Sequence, residues 1–290
     1  MIETSASTPG TLYIVATPIG NRDDISLRAL SILQSVDFIL AEDTRHSGQL
    51  LTLLGIKKAM ISLHAHNEAN KSDEMMGLLL NGKSCALISD AGTPLINDPG
   101  FTLVRLAQSA GISVVPIPGA CALIAALSAA GVACDTFTFC GFLPAKQTAR
   151  QQKLEFLRQH EHTLVFYEST HRILACIDDI ALVFGAFCEL VLAKELTKTF
   201  ERFVSGNPGT VKEWLLVDTQ HIKGEFVLII PPRAPIKEIM EHFRVLSILL
   251  KHLPLKQAVT IASELTKAPK NELYEWALKN KGTDMNDSRS

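Results

Sequence analysis

CALISDAGTPLINDPG, residues 85–100, decides the reading of this chain. It opens on an apolar run, 85–88, of a length that suits a buried strand. A loop of Gly, Pro and two aspartates follows, and then GFTLVRLAQSAG (100–111), which has helical periodicity. Strand, tight loop and helix make one unit of a mostly parallel sheet. A glycine-rich loop after a strand often cradles phosphate, because its N–H groups can approach an anion. Here Asp90 and Asp98 would repel one. The loop therefore suits a ligand that is neutral or cationic, or that offers hydroxyl and amine donors. Asp98 also has a local reading: Asp favours helix N-caps and Pro99 fits the first helical position, so it is expected to start a helix over 99–110. Asp90 stands at the carboxyl end of the strand, where α/β sheets bind their ligands.

The same alternation extends outward through the first 130 residues. LYIVA (12–16), DFILAED (37–43), MISLH (60–64) and ISVVPI (112–117) read as strands, and 26–35, 49–55 and 68–80 as helices. Ser26 is the expected N-cap of the first helix, with Leu27, Leu30, Ile32 and Leu33 on its apolar face. From 137 the pattern resumes with strands at 137–143, 162–169, 189–196, 200–206 and 225–232, and helices at 171–184 and 210–216. This predicts an α/β chain of two α/β domains, 11–125 and 126–233, that share a cleft because no long linker parts them. Residues 234–282 read as a small helical region of helix-turn-helix spacing, with Ala258, Val259, Ala262 and Leu265 on one face and Leu273, Trp276 and Ala277 on another. The ends, 1–10 and 283–290, read as disordered.

Composition sets bounds. The chain has 290 residues, 47% hydrophobic and 20% charged, as an ordinary globular protein does. MIETSASTPG has neither the basic start nor the apolar core of a signal peptide. GACALIAALSAAGVAC (119–134), the most apolar stretch, is too short to span a membrane and reads as a buried helix. Six scattered cysteines, none in a C-x-x-C pair, suggest buried thiols in a reducing cytoplasm. His64 and His66 alternate as half a metal site would, with no partner pair to complete it, so no metal is expected. A net charge of −2 argues against a general nucleic-acid coat but leaves room for a local basic face.

The chemistry gathers at the carboxyl ends of strands. ATPIGN (16–21) occupies the place of a dinucleotide fingerprint, but it has one Gly and a stiffening Pro18. NAD and FAD are therefore set aside, as is a phosphate loop. VVPIPGACA (114–122) ends a strand and starts a helix with Gly119 and Ala120, small enough for close backbone approach to a flat ligand. AEDTRHS (41–47), FYESTHR (166–172) and AKELTKTFE (193–201) add charged groups at further strand ends. In PAKQTARQQKLEFLR (144–158), Lys146, Arg150 and Lys153 share one helix face that could meet phosphates.

LYIVATPIGN, AEDTR, ISDAGTPLINDPG, VVPIPG, GFLP, FYES-HR, KELTK and KGEFVLII occur in an order that resembles the tetrapyrrole (corrin/porphyrin) methylase superfamily. Within it the chain is most similar to members that methylate the 2′-hydroxyl of a cytidine ribose in the decoding centre of 16S rRNA. The resemblance implies S-adenosylmethionine, bound folded between two α/β domains. Its sulfonium, ammonium and ribose diol, and its lack of phosphate, suit a loop with carboxylates. By position, the resemblance places the cofactor against Pro18, Asp90, Gly92, Thr93, Ile96, Gly119, Ala120, Phe142, Leu143, Gly224 and Glu225. It implies the small ribosomal subunit as partner and a homodimer. A carboxylate or histidine could take the hydroxyl proton, and Glu195, Glu168 and His171 are the candidates. Lys198, Arg45 and Arg172 are expected to hold flanking phosphates, with Lys146, Arg150 and Lys153. Two positions depart from the family pattern: Thr170 where Pro is expected, and Lys194 where Arg is expected, which forfeits a bidentate fork. A methylase of a small tetrapyrrole, or a non-catalytic RNA-binding assembly factor, are the alternatives.

Overall fold

The computed structural model describes residues 8–233 and 236–281. The first sheet has the order β3-β2-β4-β1-β5. Its strands, β1 (Thr11–Val15), β2 (Phe38–Ala41), β3 (Ala59–Ser62), β4 (Cys85–Ile88) and β5 (Ser113–Ile117), are all parallel. The apolar runs are continuous because both faces of the sheet are covered. Leu12, Leu40 and Leu87 face Met75 of α3 (Glu68–Leu80) and Leu103 of α4 (Phe101–Ser109). Their neighbours Ile39, Ala86 and Ile88 face Leu33 of α1 (Leu27–Ser35) and Leu51 of α2 (Thr44–Leu53). Ser26 caps α1 as expected, its hydroxyl accepting from the Ala29 N–H at 3.1 Å. The expected face of α1 shifts, however: Ala29 and Leu33 are buried, whereas Leu27 is 85% exposed at the first turn.

The second sheet is mixed, with the order β6-β7-β10-β8-β9. β6 (Phe137–Phe142) runs parallel to β7 (Thr163–Ser169). β10 (Glu225–Ile230) lies antiparallel between β7 and β8 (Leu190–Lys194), and β9 (Arg202–Gly206) closes the far edge. One face packs on α6 (Gln147–Leu157), α7 (Ile173–Phe184) and α8 (Pro208–Val217). The other face takes α5 (Ala122–Ala129): Leu123, Ala126 and Leu127 pack with Val165, Val227 and Ile229. By packing, α5 thus belongs with the second sheet, and the expected boundary at 125/126 runs through it. The chain passes between the sheets just before α5, which puts a seam between the carboxyl ends of the first sheet and the second domain.

The helices α9 (Ile236–Leu250), α10 (Leu255–Thr266) and α11 (Lys270–Lys281) form a separate small core around Leu246, Ala258, Val259, Ala262 and Leu273, with Phe243 stacked on Trp276 at 4.9 Å. Leu265 does not join its expected face and is 67% exposed. The expected disorder of 283–290 and of 1–7 falls outside the described residues. Gly10 corrects the rest of that expectation: it is buried and its N–H donates to Leu79 at 2.8 Å. The expectation of buried thiols holds for Cys85 and Cys176 only; Cys134 is exposed and the other three are half-buried. Among the described residues no helix is long and apolar enough to cross a membrane.

Candidate functional site

The seam contains a cleft of about 500 Å³. Three loops of the first domain form one wall, and they are laced together. Thr17 after β1 and Gly92 after β4 exchange backbone hydrogen bonds at 2.8 and 3.1 Å. The Thr93 hydroxyl donates to the Ala120 carbonyl at 3.0 Å, which ties in the loop after β5. Gly92 has φ +87°, and a Cβ there would sit 3.3 Å from Ile19, so the bare backbone forms the wall. Leu95 and Asn97 also have positive φ, +72° each, and this strained course carries the loop past Ile96, Asn97 and Asp98 on the cleft wall.

Asp98 does not cap α4. The N-cap is Gly100 at φ +126°, and the Glu68 carboxylate from α3 accepts from the N–H groups of Gly100 and Thr102 at 3.1 and 2.7 Å. A carboxylate from a neighbouring helix takes over the local capping task, which frees Asp98 for the cleft. Burial, with the nearby Asp90 charge, raises the Asp98 carboxyl to about 6, against a hydrogen bond from Ser89. Glu42 is raised by burial and by the charges of Asp98 and Asp90. Asp90 also accepts from the Asp43 N–H at 3.1 Å, so it fixes the loop after β2. This end of the first sheet is therefore rich in carboxylates, and a cation would lower the cost of their proximity.

The second domain supplies the facing wall. A register irregularity in β6, between Phe139 and Phe142, presents Phe142 to the cleft beside Tyr167, their rings 5.9 Å apart. The Tyr167 hydroxyl accepts from the Leu123 N–H at 3.0 Å and so anchors the first turn of α5. Glu168, Thr170 and His171 at the end of β7, and Gly224 and Glu225 at the start of β10, complete the wall.

Of the residues expected to bind cofactor, Asp90, Gly92, Thr93, Ile96, Phe142, Gly224 and Glu225 line the cleft. Pro18, Gly119 and Ala120 are not among its lining residues. Gly119 packs so closely on β1 that a Cβ would meet Ala16 at 2.9 Å. Leu143 does not line the cleft: it is in the core of the second domain, 2% exposed, and its carbonyl accepts from Arg172 at 2.7 Å.

The expected proton acceptors separate. His171 is exposed on the cleft wall. Glu168 also lines the cleft, but it is 2% exposed and held by Arg172 in a two-pronged pair at 2.8 and 2.9 Å. That pairing occupies Arg172 as well. Glu195 is not brought to the lining. Its carboxylate accepts from Lys198 at 2.9 Å and from the Glu225 N–H at 3.0 Å. Burial raises it, but those bonds and the Lys198 charge win and leave it below the usual carboxylate range. Lys198 pairs with both Glu195 and Glu225.

The expected basic face on α6 breaks in the middle. Lys146 and Lys153 are exposed, but Arg150 is 4% exposed and pairs with Asp179 of α7 at 2.6 Å. Spacing alone placed it with the lysines, whereas an arginine turned toward a packed helix meets a carboxylate instead. Arg45, with an exposed side chain, pairs with Asp43 at 3.1 Å, and that bond holds Asp43 down to about 2. Lys194 is buried, 5% exposed. Sequence reasoning missed Asn97, Cys121 and Thr170 as cleft residues. Each lies in or beside a motif already singled out, so adjacency was the available signal.

Two family models match the sequence. The family described as Tetrapyrrole (Corrin/Porphyrin) Methylases matches residues 11–212, and that described as RsmI C-terminal HTH domain matches 240–281. The chain is 52% identical over 274 residues to the "Ribosomal RNA small subunit methyltransferase I" of Pasteurella multocida, covering 93% of this chain and 97% of that protein. It is 50% identical over 270 residues to the protein of the same name from Xylella fastidiosa strain Temecula1, covering 92% and 99%. Among solved structures, a diphthine synthase superposes with a TM-score of 0.61 at 15% identity, covering 78% of this chain and 91% of that one. A cobalt precorrin-4 methyltransferase superposes with a TM-score of 0.54 at 17% identity, covering 76% and 94%. At such identities the likeness concerns the fold alone.

Proposed function

We infer the function from one premise: this chain belongs to the tetrapyrrole (corrin/porphyrin) methylase family. We propose that it transfers a methyl group from S-adenosylmethionine to the 2′-hydroxyl of a cytidine ribose in the decoding centre of 16S rRNA, within the small ribosomal subunit. The observation that carries the substrate is half identity, over nearly full length, to relatives named for methylation of small-subunit rRNA.

The cleft's chemistry fits the cofactor. Asp90 and Asp98 suit a ligand with ammonium and sulfonium charge and ribose hydroxyl donors. Gly92 and Thr93 offer backbone close to the cavity, and Ile96 and Phe142 offer apolar surface to a flat base. S-adenosylmethionine, when bound, supplies an electrophilic methyl group and a neutral thioether leaving group. The chain's own task is then to hold a ribose hydroxyl in line, since it is a poor nucleophile and positioning can supply much of the acceleration. Our candidate for accepting the hydroxyl proton is His171, a reading supported by its exposed position on the cleft wall. Lys146, just before α6, and Lys153 on it are free of the burial that removes Arg150, and they would meet RNA phosphates.

The test is transfer of radiolabelled methyl to small subunits from cells lacking this protein, with the label mapped by nuclease digestion. Naked rRNA and a corrinoid precursor run in parallel. Label on one cytidine ribose of the subunit is expected. Label on the corrinoid, or none on any substrate, refutes the assignment.

A further inference from the structure

Glu195 and Lys198, outside the cleft lining, join Thr170 and Gly224 on it in a connected group that holds the start of β10. Glu195 follows the last residue of β8 and has φ +50°, a left-handed conformation that a glutamate adopts at some cost. Its N–H donates to the Glu225 carbonyl at 2.9 Å, which extends the pairing of β8 with β10 by one step. There the chain turns away, and the Glu195 carboxylate replaces the missing backbone acceptor by taking the Glu225 N–H. Lys198 then clamps the carboxylates of Glu195 and Glu225 together.

Gly224 is built for this arrangement. It has φ +110°, and a Cβ would lie 2.5 Å from the Glu195 carboxylate. From the opposite side the Thr170 hydroxyl donates to the Gly224 carbonyl at 2.8 Å and accepts from its N–H at 3.0 Å. The same turn reaches the first domain. The Asn21 N–H donates to the Thr197 hydroxyl at 3.0 Å, and Gly20 packs against the Lys198 stem with no space for a Cβ. The turn 195–198 thus touches the loop after β1, which brings Ile19 to one cleft wall, and the segment 224–225, which belongs to the other.

We propose that Glu195 is a positioning residue and not the proton acceptor: with Lys198 and Thr170 it braces Gly224–Glu225 against the first-domain loop, and so sets the separation of the two cleft walls. The reading rests on the cleft being the cofactor site. A carboxylate with two donors already on it is poorly disposed to take a third proton during turnover, and it faces Glu225 from outside the lining.

The test compares Glu195→Gln, Glu195→Ala and Gly224→Ala with wild type. The readouts are hydrogen exchange at the 222–228 amides, calorimetry with S-adenosylmethionine, and single-turnover transfer across pH. Glu195→Gln keeps an oxygen for the Glu225 N–H. It is expected to bind cofactor within about threefold of wild type, with the acid limb of the pH profile unchanged. Glu195→Ala removes a charge-assisted acceptor and is expected to weaken cofactor binding by roughly tenfold or more, with faster exchange at 222–228. Gly224→Ala is expected to do the same, and because φ +110° strains an alanine with or without the Glu195 carboxylate, the double variant is expected to bind more weakly than either single one. The inference is overturned if Glu195→Gln binds cofactor normally yet loses turnover by about a hundredfold together with the acid limb. It is also overturned if exchange at 222–228 is unchanged in Glu195→Ala. Failure of wild type to bind the cofactor would sink the proposed function instead, and the exchange comparison would still decide the role of Glu195.

Discussion

Arg150→Met separates the two readings of the α6 face. In the structure Arg150 donates through Nε to Asp179 at 2.6 Å and through Nη1 to the carbonyls of Pro144 and Ala145 at 3.3 and 3.1 Å. It therefore pins the loop between β6 and α6 to α7. Asp179 also accepts from Gln147 and Gln151 at 3.2 and 2.7 Å. Burial raises its carboxyl, but these donors and Arg150 outweigh it and hold the group below its ordinary range. Methionine fills similar volume but leaves a buried carboxylate with two neutral amides. Breaking a buried pair in this way costs about 3–5 kcal/mol. At about 2.1 cal/mol/K per residue, a chain of 290 residues unfolds with an entropy of about 0.6 kcal/mol/K, so the loss corresponds to a fall of roughly 5–8 °C in Tm. Arg150→Met/Asp179→Leu removes both charges and is expected to recover most of the loss. Thermal unfolding and rRNA binding over a salt series make the measurement. A variant with unchanged Tm, weaker RNA binding and a log–log salt slope shallower by about 0.9 would show that Arg150 contacts a phosphate, and the packing argument would fail.

Three further variants test residues in and around the cleft. The Asp98 carboxyl rises from 3.8 to about 6 in the fold, so the folded state holds its proton more tightly and ionisation costs stability as pH rises between those values. Asp98→Asn is expected to remove that dependence, read by urea unfolding at several pH values. Because a cationic ligand favours the ionised form, wild-type affinity for S-adenosylmethionine should fall below about pH 6, by at most about tenfold per pH unit, and Asp98→Asn should abolish that slope in calorimetry. Glu68→Ala strips the first turn of α4 of its side-chain acceptor and should cost about 1–2 kcal/mol in urea unfolding. Tyr167→Phe removes the acceptor for the Leu123 N–H and should cost roughly 1–3 kcal/mol while sparing the core packing of the ring; an unchanged midpoint would mean that water satisfies that amide.

The sheet elements were legible because each apolar run is bounded by Gly, Pro or charge. The run 85–88 and the loop after it gave strand, turn and helix in the right order, and both aspartates proved to line the cleft. What periodicity could not supply was partnership across the chain. Asp98 looked like a helix cap because its local sequence suits one, yet Glu68, thirty residues earlier, performs the capping. Arg150 looked like part of a basic stripe because i, i+4, i+7 spacing is blind to which side of the stripe turns inward. Glu195 looked like a base because an isolated carboxylate at a strand end is an acceptor, and only three dimensions show the lysine and the amide it already serves. Arg150 and Glu195 were assigned to a ligand, and the fold had used them as counter-ion or acceptor for another part of the chain; Asp98 is the reverse, assigned to a local cap and left to the cleft.

That pattern has a physical reason which bears on the site as a whole. Loops at the carboxyl ends of strands have unpaired backbone groups, and a buried unpaired amide is costly. The chain satisfies them with side chains from neighbouring loops: Asp90 for Asp43, Glu68 for Gly100 and Thr102, Tyr167 for Leu123, Glu195 for Glu225 and Thr170 for Gly224. Each bond joins two elements distant in sequence, so polar contacts fix the cleft walls alongside the apolar packing of Ile19, Leu196 and Val227. A wall built in this way leaves its glycine-lined backbone, with Asp98 and His171, facing the cavity. The polar residues that hold the site and those left to act on a ligand are therefore of the same chemical types, and partner geometry is what tells them apart.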